Sequence, residues 1–197
     1  MSQRETYLRK KVEWAESKGY VVSSIKALTE YLKLYPKSTY NLYRLSENFR
    51  AIGRYSEAAR ILLKLKDASI PKKFAYLVSL NEAMIHQDKG QYAAARKKYK
   101  EAILAGSEIS VPYVFFASFL LKSGKANVAL LVLKEALKRK VSGDIDEIYL
   151  NAGHCCRAMN DLDQAKLFYE LALKEFPKYT HARVALNDLD CGTVDAP

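Results

Sequence analysis

The chain repeats itself, and that constrains its fold more than anything else in the sequence. Five segments each set a small or turn-forming residue, Gly19, Gly53, Gly90, Gly124 or Asn160, beside amphipathic stretches, at successive spacings of 34, 37, 34 and 36 residues. A period near 34 is that of a repeated helical hairpin. One such hairpin has an apolar face it cannot bury alone, so the copies must stack. Composition agrees: 8 Gly and 5 Pro in 197 residues are too few for a turn-rich sandwich or propeller, and 49% apolar residues exclude bulk disorder.

Three copies superpose residue by residue. In the second, Leu42, Leu45, Ser46 and Phe49 share one face of a first helix, and Tyr55, Ala58, Leu62 and Leu65 share one face of a second. The fourth repeats this as Tyr113, Phe116, Ala117 and Leu120, then Ala129, Leu133 and Ala136. The fifth gives Tyr149, Ala152, Gly153 and Cys156, then Leu162, Ala165, Tyr169, Ala172 and Pro177. Steps of three and four residues put each set on one helical stripe, and the small residues let two helices approach closely.

These residues closely resemble the tetratricopeptide repeat, whose pattern is large-x2-Leu-Gly-x2-Tyr-x8-Ala-x3-Phe-x2-Ala-x4-Pro. The resemblance covers about residues 5–178 and implies an all-α solenoid of about five helix-turn-helix repeats in a right-handed superhelix. The expected boundaries are 5–37, 38–71, 72–108, 109–143 and 144–178, with a capping helix at 179–190 and a frayed tail at 191–197, so that 1–190 is a single array. The first copy carries Lys11, Val12 and Ala15 in place of the motif residues, as suits an N-terminal cap. The third offers Ser79, Glu82, Ala83 and His86 in the slots of its first helix, and the long step after Ile70-Pro71 leaves its register open.

In arrays of this family the first helices line a concave groove. By that resemblance the groove here would present Tyr40, Tyr43, Arg44 and Glu47, then Leu80, Asn81 and Met84, then Val114, Phe115, Ser118 and Leu121, then Asn151, His154 and Arg157. The set expected to bind a partner is Tyr40, Tyr43, Arg44, Asn81, Met84, Phe115, Ser118, Asn151, His154 and Arg157. The amides of Asn81 and Asn151 suit a peptide backbone, and Phe115 or Met84 suits a side chain. The alternative at this stage is that Phe115, Val114 and Leu80 only pack between neighbouring first helices. The carboxylate clamp of one family branch needs Lys, Arg and Asn over three first helices. In either register only one slot agrees, Arg9 or Asn81, so that clamp is not expected.

Catalytic and metal chemistry find little support. His154, Cys155 and Cys156 point about 100° apart on a helix and cannot converge on one ion without ligands from elsewhere. With only His86, His154 and His181 present, no Ser/His/Asp set stands out, and there is no Gly-rich phosphate loop. No enzyme, cofactor or metal is expected. Three cysteines, two of them adjacent, imply no disulfide framework.

The net charge is +10, unevenly spread: residues 1–140 hold 27 basic and 12 acidic side chains, residues 141–197 hold 5 and 10. The expected function is a non-catalytic adaptor, chaperone or immunity-type protein that holds a protein or peptide, often an acidic one, in its groove. The basic runs Arg9-Lys10-Lys11, Lys72-Lys73, Arg96-Lys97-Lys98 with Lys100, and Lys138-Arg139-Lys140 open a second reading, a nucleic-acid accessory protein with a basic convex face. Tyr92 and Tyr99 are expected in packing slots, which takes base stacking away from that reading. Head-to-tail self-association of basic and acidic ends is a third. No stretch approaches the ~18 apolar residues that span a bilayer, and no apolar run follows the basic N-terminus, so a cytoplasmic location is expected.

Overall fold

The structure is a computed structural model that describes residues 3–67 and 74–191. The Ile70-Pro71 junction, Lys72-Lys73 and the tail after Cys191 lie outside the described residues. Among the described residues there are eleven helices: α1 Gln3–Ser17, α2 Val21–Leu34, α3 Thr39–Ala51, α4 Tyr55–Asp67, α5 Ala75–Asp88, α6 Tyr92–Ala105, α7 Ser110–Lys122, α8 Ala126–Arg139, α9 Ile145–Ala158, α10 Leu162–Glu175 and α11 Thr180–Asp190. The only β-type pairing described is one parallel bridge between Ile109 and Ser142. No described helix is long and apolar enough to cross a membrane.

The five turn residues explain the hairpins. Gly19, Gly53, Gly90, Gly124 and Asn160 all adopt positive φ, between 61° and 75°. In each turn the next N–H reaches back five residues, as Tyr20 to Ala15 at 2.8 Å and Asp161 to Cys156 at 3.0 Å, which satisfies a carbonyl left open by the helix end. Left-handed backbone costs an L-residue roughly 1–2 kcal/mol, and Asn is among the few side chains that tolerate it. Asn160 therefore serves where the other turns use glycine.

The helices gather into two compact units, Met1–Ala105 and Gly106–Pro197. In the first, α1 packs on α2, α2 on α3, α3 on α4 and α5, and α5 on α6. Its core joins Leu28, Leu42, Leu45, Phe49, Leu62, Leu65, Val78 and Ile85. In the second, α7 packs on α8 and α9, α8 on α9, α9 on α10 and α10 on α11, around buried Tyr113, Phe116, Leu120, Leu133, Ile148 and Tyr169. The small residues Ser46, Ala58, Ala129 and Ala165 are fully buried where paired helices meet.

The third repeat departs from the others in which side chains fill its first helix. Its first helix, α5, buries Val78, Leu80, Asn81, Ala83 and Ile85. Of the slots read from the motif, Ala83 is buried, while Ser79, Glu82 and His86 are only partly so. Counted back from the turn residue, Val78, Leu80, Ala83 and Ile85 hold the positions that Ile148, Leu150, Gly153 and Cys155 hold in α9, so the same face turns inward; the polar side chains of Ser79, Glu82 and His86 stay part-exposed and Asn81 is buried as well. Burial works to raise the Glu82 carboxyl, but hydrogen bonds from Lys66 and Lys98 outweigh it and hold it below the usual carboxylate range.

Candidate functional site

Each unit carries its own recess between two successive first helices. In the second unit α7 and α9 are aligned by their entry segments. Ser110 N–H donates to the Ser142 carbonyl at 2.9 Å, Ser142 N–H donates to the Glu108 carbonyl at 2.8 Å, and Asp144 N–H donates to the Ser110 hydroxyl at 3.1 Å. Gly143, at φ 106°, sits so close that a Cβ there would stand 2.5 Å from Ser110 Oγ. This clamp sets the spacing of α7 and α9, and a cavity of about 370 Å³ opens between them.

Val111, Val114 and Phe115 form the apolar wall of that cavity, and Ser118, Asp144, Glu147 and Asn151 its polar side. Phe115 is 40% exposed, an unusual position for a large aromatic ring in a helix whose next residue, Phe116, is buried. Asn151 donates from Nδ2 to the Glu147 carbonyl at 2.9 Å. Glu147 accepts the hydroxyl of Tyr179, the residue that leads into α11, and Tyr179 is itself buried. Burial, then that hydrogen bond, pushes the Tyr179 phenol above its ordinary value, so it stays a donor at all physiological pH.

His154 and Arg157 continue along α9. His154 is half-buried and shares a 2.9 Å hydrogen bond with the Tyr169 hydroxyl. Burial, then the charges of Arg157 and His181, lowers its pKa from the usual histidine value. It therefore acts as a neutral, structurally held imidazole near pH 7.

In the first unit Tyr40, Tyr43 and Thr39 of α3 face Phe74, Leu77 and Val78 across a narrow apolar cleft of about 40 Å³. Tyr40 is 66% exposed, and the Arg44 guanidinium lies 5.2 Å from its ring centroid. Tyr43 donates to Glu47 at 2.9 Å. Arg44 is already engaged by Glu16 of α1, with its Nε 3.0 Å from Oε1. Met84 is half-buried on α5.

Of the residues expected to meet a partner, Phe115, Ser118 and Asn151 converge on the α7–α9 cavity, and Tyr40 and Tyr43 on the α3–α5 cleft. Asn81 does not reach a groove. It is fully buried and donates from Nδ2 to Ser46 Oγ at 2.7 Å. Leu80 is likewise in the core. Tyr92, expected in a packing slot, is 62% exposed, whereas Tyr99 is buried and donates to Gln87 at 2.7 Å. Sequence reasoning missed Asp144, Glu147 and Tyr179. Stepping one helical turn back from Asn151 along the same face gives Glu147, so the signal was present.

Cys155 and Cys156 are buried, and among the described residues no group of three His, Cys, Asp or Glu side chains is placed to hold a metal ion.

A family model described as a tetratricopeptide repeat-like domain matches residues 36–190. The chain belongs to that family. Among solved structures it resembles a tetratricopeptide repeat protein from Parabacteroides merdae at 14% identity and TM-score 0.73, covering 94% of this chain and 71% of that one. A thermophilic tetratricopeptide repeat protein from Thermus thermophilus matches at 19% identity and TM-score 0.73, covering 95% of this chain and 99% of that one. YrrB, described as a tetratricopeptide repeat protein with an unusual peptide-binding site, matches at 14% identity and TM-score 0.56, covering 89% of this chain and 88% of that one. These likenesses are of fold. No curated protein matches the sequence.

Proposed function

We propose that this chain is a non-catalytic, cytoplasmic adaptor or chaperone that holds a protein segment against the first helices of its repeats. The tetratricopeptide repeat is a protein-interaction scaffold, and membership of that family supports the general role. The observation that carries the specific reading is the α7–α9 cavity, where Phe115 stays 40% exposed beside the polar side chains of Ser118 and Asn151. An aromatic ring next to amide and hydroxyl groups is the composition of a binding centre, because the ring supplies area and the polar groups fix orientation. YrrB, a fold relative, is described as having a peptide-binding site, which is consistent with this use of the scaffold.

The first unit adds charge. Met1–Ala105 holds 21 basic and 10 acidic side chains, against 11 and 12 in Gly106–Pro197. That excess steers acidic regions of a partner toward the first unit. The test is capture from the source-cell lysate, with and without nuclease, comparing the parent with Phe115→Ala. A protein that is retained after nuclease and lost with Phe115→Ala supports the reading.

A second reading has one observation in its favour. Tyr92 is 62% exposed at the start of α6, one turn before exposed Arg96, and an exposed ring beside cationic side chains suits a stacked base and its phosphate. Retention that disappears with nuclease, and with Arg96→Glu, transfers the function to that face.

A further inference from the structure

The acidic side chains beside the two recesses are treated differently. In the first, Glu16 is paired with Arg44, and Glu82 with Lys66 and Lys98. Glu47 accepts the Tyr43 hydroxyl at 2.9 Å, and burial pushes its carboxyl above the ordinary range. The negative charges beside that cleft are thus already matched or muted.

In the second unit they are not. Asp144 and Glu147 line the α7–α9 cavity, and among the described residues neither forms an ion pair. Asp144 occupies the N-cap of α9 but its carboxylate caps no backbone N–H; its own N–H donates to Ser110 and its carbonyl accepts from Ile148. Glu147 receives two neutral donors, Tyr179 and, at 3.4 Å, the Asn151 amide. Opposite both carboxylates stands the apolar wall of Val111, Val114 and Phe115.

An acidic ligand entering this cavity meets two uncompensated negative charges. A neutral apolar one covers the wall but buries two carboxylates that no cation matches, which is costly. A long cationic side chain does both jobs: its methylene stem lies on Val114 and Phe115, and its head donates charge-assisted hydrogen bonds to Asp144 and Glu147. The aromatic face of Phe115 adds attraction for the same charge.

We propose that the α7–α9 cavity is a basic-residue pocket, which takes a lysine or arginine of a partner segment together with an adjacent apolar residue. The inference rests on the protein-binding reading above and adds the sign of the charge selected. It also refines the expectation of an acidic partner: the first unit favours acidic stretches, while this cavity selects a basic residue.

The test is selection of phage-displayed random dodecapeptides on the full chain, followed by binding of the selected peptides to Phe115→Ala, Asp144→Asn, Asp144→Lys and Glu147→Gln. Phe115 and Asp144 are both exposed enough for these variants to fold. The expected result is enrichment of Lys or Arg beside an apolar residue, with affinity lost in Phe115→Ala and reduced about tenfold or more in Asp144→Lys. Peptides that depend on Phe115 but carry no basic residue overturn the pocket's proposed selectivity and leave the protein-binding reading standing. Peptides indifferent to Phe115 overturn both. Sedimentation of the parent and Asp144→Lys closes the remaining alternative: a mass that rises with concentration only in the parent assigns the cavity to a second copy of this chain and overturns the proposal.

Discussion

Gly153 of α9 lies directly against the ring of Tyr169 in α10: a Cβ built on Gly153 would stand 2.3 Å from Cε1 and 2.5 Å from Cδ1. Tyr169 cannot swing aside, since it is fully buried and its hydroxyl is tied to His154 at 2.9 Å. Gly153→Ala gains about 1 kcal/mol of helix propensity but overpacks the seam by about 1–3 kcal/mol, and the depth of the clash puts it at the upper end. The expected net loss is about 2 kcal/mol in the second unit, read as faster amide exchange across α9 and α10. Unchanged protection there would show that the seam has slack.

Much of this was legible because helical hairpins announce themselves by period. The left-handed turns at Gly19, Gly53, Gly90, Gly124 and Asn160, and the buried slots of α3 and α7, follow from spacing and residue size alone, whereas in α9 Tyr149 is only partly buried and Ile148, Leu150 and Cys155 are buried beside it. The burial of Asn81 and the pairing of Glu82 in α5 were not legible. Which residues a helix buries depends on its neighbours, and the partners that admit Asn81 and satisfy Glu82, namely Ser46, Lys66 and Lys98, lie 35, 16 and 16 residues away in sequence. The α7–α9 cavity was legible in part. Phe115, Ser118 and Asn151 came from the groove slots, whereas Asp144 and Glu147 lie one to two turns before those slots, at the start of α9.

The buried pair of Asn81 and Ser46 carries a second prediction. Ser46 donates to the Tyr43 carbonyl at 2.7 Å and accepts from Asn81 Nδ2 at 2.7 Å, while Asn81 Oδ1 has no partner among the described residues. Ser46→Ala strands the Nδ2 donor in the core and is expected to cost about 1–3 kcal/mol. Replacing both, as Ser46→Ala with Asn81→Leu, removes the unmet polar groups of this pair and should recover most of that loss. Urea unfolding of the single and double variants distinguishes this from a simple cavity effect, in which the double variant is no better than the single.

His154 makes the second unit sensitive to mild acid. Its folded-state pKa is lowered, first by burial and then by Arg157 and His181, below the ordinary value of 6.5. The unfolded chain therefore takes up a proton that the folded chain resists. Stability contributed by the neutral imidazole is complete above about pH 6.5 and falls as the pH drops toward the folded pKa, by at most about 1.4 kcal/mol per pH unit. His154→Gln is expected to flatten the decline in melting temperature between about pH 7 and pH 5.5. A decline of the same slope in the variant would place its origin elsewhere.

The three cysteines divide by environment, and that division is measurable in minutes. Cys155 and Cys156 are buried, while Cys191 is exposed. Burial, then the adjacent Cys156, pushes the Cys155 thiol up to about 12, and burial likewise raises Cys156. Thiolate is the reactive form, so both should be inert in the native state at neutral pH. Titration with an aromatic disulfide reagent is expected to show one fast thiol per chain, absent in Cys191→Ser, and three after denaturation. Because Cys155 and Cys156 sit in α9, between the helix that forms the cavity's apolar wall and α10, their slow reaction also times the opening of the site's scaffold. A peptide bound in the cavity should slow it further, since only the closed pairing of α7 with α9 binds.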